Sequence, residues 1–244
     1  MTQQTTLIIG ANSGIAKALA LSVLNENNTK LIVISRNIKF YQQPLFDDSE
    51  VIHINSYDEE AIQEALNTIN NATIGHVSRV FICHGILHNR DCQPEKRLED
   101  FSAKAFKEVL TVNTITPMLW LKNLTPLLSG KEVCKIVIFT ARVGSISDNK
   151  LGGWYTYRAS KAAMNMLIKS AAVELGRRAK NIKLISFHPG TTDTPLSKPF
   201  QKNVPAGKLF TSEFVAEELV KIVQNTPCDG EASFLDWQGK DIPW

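Results

Sequence analysis

A tyrosine and a lysine four residues apart, Tyr157 and Lys161, open an Ala-rich apolar stretch that runs Tyr157-Arg158-Ala159-Ser160-Lys161-Ala162-Ala163-Met164. At 3.6 residues per turn, such a pair lies on one helix face. A phenol titrates near pH ~10 and is a poor base at neutrality, whereas an ammonium group one turn away favours the phenolate. The spacing therefore suits proton transfer to or from a reacting oxygen. Any long helix can carry the same spacing by chance, so the rest of the chain must decide.

A second candidate site lies near the start. The apolar run Leu7-Ile8-Ile9 enters Gly10-Ala11-Asn12-Ser13-Gly14-Ile15-Ala16 and then a helical pattern. Small residues after a strand let backbone N–H groups approach a phosphate, and the dipole of the following helix adds favourable potential. The second strand ends Val33-Ile34-Ser35-Arg36-Asn37, with Ser35 where an acidic residue would bind a ribose 2′-hydroxyl. Arg36 instead suits a 2′-phosphate, which favours NADP(H) over NAD(H). Cys83, His84, His88 and Cys92 share one short stretch, but lack the Cys-x-x-Cys spacing of a zinc site. No metal is expected there.

The elements that must position these groups alternate along the chain. Strands are predicted at 6–10, 30–35, 50–55, 79–83, 135–139, 182–188 and 232–235. Helices are predicted near 14–25, 58–67, 99–127, 157–178 and 212–224. Runs such as Leu31-Ile32-Val33-Ile34 and Ile136-Val137-Ile138-Phe139 are apolar on both faces, as parallel strands covered on each side require. The pattern predicts an α/β fold, a doubly wound, mainly parallel seven-stranded sheet with helices on both faces. One domain over residues 1–244 is expected, with no linker or internal repeat. Two stretches break the rhythm: 37–48, a poor helix containing Pro44, and 189–207, which carries four prolines after a strand.

The totals agree with this outline. The 244 residues carry a formal charge of +3, with 43% hydrophobic and 21% charged residues. That balance is too small and too scattered for a nucleic-acid binder. No stretch approaches the length of a membrane span, and the polar N-terminal residues lack a signal-peptide pattern. Four scattered cysteines read as reduced thiols, so a cytoplasmic location is expected.

Taken jointly, the Gly-x-x-x-Gly-x-Ala turn, Val112-Asn113, Arg142-Val143-Gly144-Ser145, Tyr157-x-x-x-Lys161 and Pro189-Gly190-Thr191 resemble the short-chain dehydrogenase/reductase family in type, order and distance. Within that family the chain looks most similar to C-factor-like and sniffer-type carbonyl reductases. The resemblance implies a Rossmann-fold NAD(P)-binding domain that reduces a carbonyl compound or oxidises an alcohol. It implies that Tyr157 is the acid–base, that Lys161 holds the nicotinamide ribose and lowers the phenol pKa, and that Asn113 anchors a water linking Lys161 to solvent. It also implies cofactor contacts from Gly10, Asn12, Ser13, Gly14, Ile15, Arg36, Asn55, Gly85, Pro189, Gly190, Thr191 and Thr194.

The chain also departs from the family pattern. Ala141 stands where a substrate-orienting serine is usual, which leaves Ser145, or else Thr140, to replace it. Asn55 replaces an aspartate, and Ile82-Cys83-His84-Gly85 replaces Asn-Asn-Ala-Gly, with His84 either a cofactor-side group or a packed strand end. Substrate contacts are expected from His88, from 145–154 and from 196–210, including Leu151, Trp154, Leu196, Phe200, Leu209 and Phe210. The partners implied are a small carbonyl or alcohol substrate and further copies of the chain, as a homodimer or homotetramer, with Trp237 and Trp244 suited to an interface. A cofactor-binding regulatory protein with little turnover is the alternative. A methyltransferase would have no use for the Tyr-Lys pair.

Overall fold

The computed structural model describes residues 3–244. In chain order the elements are β1 (Gln4–Ile9), α1 (Gly14–Leu24), β2 (Thr29–Ser35), β3 (Glu50–His53), α2 (Glu59–Ala72), β4 (His76–Ile82), α3 (Ala103–Leu110) and α4 (Thr116–Leu128). There follow β5 (Cys134–Phe139), α5 (Tyr155–Arg178), β6 (Ile182–His188), β7 (Thr191–Thr192), β8 (Leu209–Phe210), α6 (Ser212–Asn225) and β9 (Ala232–Asp236). Seven strands form one parallel sheet in the order β3-β2-β1-β4-β5-β6-β9, and β7 and β8 pair separately. The strand order reverses between β1 and β4, which opens a crevice at the carboxyl ends of the strands.

Alternating side chains divide the core between the two faces. Leu7 and Ile9 of β1 pack with α2, α4 and α5, whereas Ile8 packs with α1 and α6. Each fully buried Ile or Leu contributes roughly 1.5–3 kcal/mol, so these layers fix the sheet on which the loops are mounted. Ser13, Asp58, Ser102 and Thr211 cap helices by accepting a first-turn N–H. Among the described residues, no helix is long and apolar enough to cross a membrane.

Two helix expectations change. The helix expected at 58–67 continues to Ala72. The single helix expected at 99–127 is α3 and α4 joined by a π turn, Thr111–Ile115, and it starts only after the Ser102 cap. The irregular 37–48 crossover folds as two short 3₁₀ turns, Lys39–Gln42 and Pro44–Phe46, which bury Tyr41 and Phe46.

Candidate active site

The glycine turn follows β1. Gly10 has φ +74, and a Cβ there would lie 3.2–3.3 Å from His84, so only glycine fits comfortably. Tyr41, from the irregular crossover, donates its phenol to the Ala11 carbonyl at 2.5 Å and props the turn from below. Asn12 is exposed, with its N–H given to Gly10 O, and Ser13 spends its hydroxyl on Ala16 N–H at 3.1 Å. The N–H groups of Ser13, Gly14 and Ile15 have no hydrogen-bond partner among the described residues. Such a helix start matches an anionic phosphate. Thr194, far along the chain, brings its methyl group over this turn, 3.6 Å from where a Gly14 Cβ would stand.

Beside the turn, three side chains stack. The Arg36 guanidinium lies 5.1 Å over the Tyr57 ring, and Tyr57 meets the His84 ring edge-on at 4.4 Å. His84 is buried and, among the described residues, neither ring nitrogen has a partner. Burial, with Arg36 and Lys161 nearby, lowers it to about 3, so the imidazole is neutral. A buried, neutral, unsatisfied imidazole against the glycine turn is what a bound polar group would complete, and it fits a dinucleotide. Asn55 is exposed just past β3. Tyr41 and Tyr57 had no sequence signal, because neither falls in a periodic element.

At the other end of the crevice, Tyr157 lies in the first turn of α5 and Lys161 one turn further on. Both are buried, and the Lys161 Nζ lies 5.8 Å from the Tyr157 ring centre. The Lys161 ammonium donates to Phe139 O at 2.8 Å. A Cβ on Gly85 would come within 3.3 Å of it. Burial governs both groups: it raises the Tyr157 phenol above its ordinary range and pushes Lys161 down to about 7. Desolvation alone sets the direction for the phenol, so the expected lowering by Lys161 does not appear.

Asn113 sits in the π turn. Its Oδ1 accepts Ile86 N–H at 2.7 Å, and its Nδ2 donates to Ile86 O at 2.9 Å and Ser160 Oγ at 3.0 Å. Ser160 in turn donates to Tyr157 O at 2.8 Å. Asn113 thereby ties the loop after β4 to the helix that carries Tyr157.

The three hydroxyl positions resolve differently. Ala141 places a methyl in the same buried cluster as Tyr157 and Leu87, walled by Val143, Trp154, Leu196 and Phe200. Thr140 is 2.6 Å from Ser186 Oγ, which donates to Asn165 Oδ1 at 2.7 Å. Ser145 accepts Asp148 N–H at 3.1 Å within its own loop. That loop is pressed onto α5 through Gly144, where a Cβ would lie 2.8 Å from Lys161 backbone. Among the described residues, no hydroxyl group is hydrogen-bonded to the Tyr157 phenol.

Pro189 and Gly190 follow β6, with Gly190 ringed by Phe210 and Trp237. Thr191 pairs with Leu209 in the small sheet. Leu196 O meets His88 Nε2 at 3.1 Å, and Phe200 meets Trp154 edge-on at 5.0 Å, so this segment closes against the Tyr157 wall. Two expected substrate contacts fall elsewhere: Leu151 is 92% exposed, and Phe210 packs on Trp237 at 4.3 Å. The tryptophans expected at an interface are half-buried within the chain, Trp237 on Phe210 and Trp244 on Phe234 at 5.3 Å.

A sequence profile of the short chain dehydrogenases matches residues 4–205. The 1-hydroxy-2-glutathionyl-2-methyl-3-butene dehydrogenase of Rhodococcus sp. (strain AD45) is 25% identical over 241 residues, covering 98% of this chain and 99% of that protein. The C-signal of Myxococcus xanthus is 26% identical over 147 residues, 60% of this chain and 83% of that protein. The solved structure of the carbonyl reductase Sniffer of D. melanogaster superposes with a TM-score of 0.84 at 21% identity, covering 99% of this chain and 100% of that one. With the glycine turn and the Tyr157–Lys161 pair at the two ends of one crevice, the chain belongs to the short-chain dehydrogenase family, whose members are NAD(P)-dependent oxidoreductases.

Proposed function

We propose that the protein reduces a carbonyl compound to an alcohol, or runs the reverse, with NADP(H) and with Tyr157 as the acid–base. One observation carries the reading: a Tyr157 phenol without a hydrogen-bond partner among the described residues, in an apolar wall, one turn from a buried Lys161. When bound, the dinucleotide supplies or accepts the hydride. The wall of Leu87, Val143, Trp154, Leu196 and Phe200 would orient an apolar or aromatic carbonyl and exclude water. Tyr157 would hydrogen-bond the substrate oxygen and give it a proton, a role that suits a phenol kept protonated by burial. Lys161 would hold the nicotinamide ribose and restore that proton, with Asn113 anchoring a water to solvent at the widened turn.

The free N–H groups after Gly10 would hold the pyrophosphate, with Thr194 closing over them. Asn55 and His84 would meet the adenosine, and Pro189, Gly190 and Thr191 the nicotinamide carboxamide. Ser145, whose Oγ accepts Asp148 N–H and whose O–H meets only Ser147 Oγ at 3.5 Å, would turn that O–H to the substrate oxygen in place of the serine missing at Ala141. A homodimer or homotetramer is the assembly we expect. A cofactor-binding regulator with little turnover is the second reading, favoured by the Ala141 methyl beside Tyr157 and by the likeness to C-signal.

The test is NADPH oxidation against a panel of apolar and aromatic carbonyls. Turnover that depends on Tyr157 supports the first reading, and tight NADPH binding with no turnover on any carbonyl supports the second. Two further outcomes bear on the details. Arg36→Ala should raise the Kd for NADPH about 10- to 100-fold, as loss of a charge-assisted phosphate contact worth ~1.5–3 kcal/mol implies, and leave NADH nearly unchanged. Equal losses for both cofactors, measured by fluorescence titration, would reject the phosphate role. Ala141→Ser should raise kcat about 2- to 10-fold, the worth of one added hydrogen bond to the substrate oxygen. A variant no faster than the parent in steady-state assays would show that this position does not face the oxygen.

A further inference from the structure

Glu95 lies in the loop after β4 and is 4% exposed, a buried carboxylate outside the site described above. Both of its side-chain oxygens are spent on one residue: Oε2 accepts Thr156 N–H at 3.2 Å, and Oε1 accepts the Thr156 hydroxyl. Its main-chain oxygen accepts Trp154 N–H at 2.6 Å. These bonds fall where α5 begins, immediately before Tyr157.

The start of α5 needs outside support. Trp154, at the cap position, has φ 51 and ψ 42 and supplies no side-chain cap, and it follows two glycines with positive φ. A left-handed tryptophan is an uncommon conformation that its surroundings must hold in place. The first-turn N–H groups have no partner inside their own helix. Glu95 reaches across from another loop to supply one, and its negative charge lies at the positive end of a 24-residue helix. The Trp154 ring, whose backbone N–H is held by Glu95 O, meets Tyr157 edge-on at 6.2 Å and Phe200 edge-on at 5.0 Å. Leu87, from the same loop as Glu95, packs in the Tyr157 cluster.

We infer that Glu95 is a positioning residue for Tyr157: it caps α5 from the loop after β4 and fixes the direction of the phenol toward the substrate oxygen. The inference rests on the proposed role of Tyr157. A misplacement of about 1 Å at a reacting group costs on the order of 100-fold in rate, so loosening this turn is felt in the chemical step.

The test uses the full chain with Glu95→Ala, Glu95→Gln and Thr156→Val. Thr156→Val removes the hydroxyl from the other side at constant volume, and keeps the test alive if Glu95→Ala does not fold. In Glu95→Ala, kcat should fall about 10- to 100-fold, while KM for the carbonyl and Kd for NADPH stay within about 3-fold. The primary isotope effect on kcat with deuterated NADPH should grow, because hydride transfer becomes rate-limiting. Glu95→Gln and Thr156→Val should each show a smaller fall, and combining them should add little. A lowered Tm with unchanged kcat and isotope effect well below that Tm would make Glu95 merely structural and overturn the inference. Amide hydrogen exchange separates this outcome from failure of the functional reading. If the parent protein turns over no carbonyl, that reading fails, yet exchange at 156–161 still decides the matter for Glu95. Faster exchange confined to those amides in Glu95→Ala supports the cap, and unchanged exchange overturns it.

Discussion

Tyr157→Phe should lower kcat for carbonyl reduction by about 10²- to 10⁴-fold, the usual worth of a positioned general acid, and leave NADPH affinity within about 2-fold. The change removes one oxygen and nothing else. The ring keeps its packing in the cluster with Leu87 and Ala141 and against Trp154. The hydroxyl has no hydrogen-bond partner to abandon among the described residues, so the fold loses no bond. Stability should therefore be unchanged or slightly higher, which separates chemistry from folding. Stopped-flow single turnovers with NADPH and an aromatic carbonyl give the chemical rate directly, and melting curves give the stability. Residual turnover above about one-tenth of the parent would remove Tyr157 from proton transfer, because even weak general-acid catalysis exceeds that factor.

The two ends of this site were legible in the sequence to different degrees. Gly10, Gly14 and Thr194 converge as expected, because a parallel sheet sends every strand's carboxyl end to one rim and the apolar strands identify that rim. Tyr157 and Lys161 share a face because helical spacing leaves no other choice. The π turn at Asn113 was invisible, since one extra residue per turn barely disturbs an apolar periodicity that runs through both flanking helices. Trp154 and Leu151 show the same limit in a loop. Both are apolar, yet the turn at Gly152 and Gly153 sends Leu151 to solvent and Trp154 onto Tyr157. Residue type alone carries no direction where glycine sets the backbone. Glu95 was silent for a related reason, because its partner Thr156 lies 61 residues away and neither position repeats a pattern.

Lys161→Met should abolish most turnover and yet make the protein more stable. The parent carries an ammonium that is 2% exposed and, among the described residues, makes one hydrogen bond, to Phe139 O. An ammonium can donate three, so its burial is poorly compensated. Methionine fills similar space without charge, so the variant sheds the desolvation cost of the ammonium. The sign of the pH dependence follows from the shift. Folding depresses Lys161 from 10.5 to about 7, so in that window the unfolded chain binds a proton that the folded chain does not. Stability of the parent through this group therefore rises as pH increases from about 7 to 10.5, and the full burial cost is carried below about 7. The advantage of the methionine variant should be largest near pH 6 and shrink steadily toward pH 10, as read by urea unfolding at several pH values. Function moves the other way. The parent's kcat/KM for carbonyl reduction should fall as pH rises through about 7, where the ammonium is lost, and the variant should lack that step. A methionine variant less stable than the parent at pH 6 would contradict a poorly compensated buried ammonium. One that kept the parent's rate and pH profile would leave Lys161 without a part in the reaction. The ammonium is thus held at a cost to the fold, a cost that its place one turn from Tyr157 accounts for.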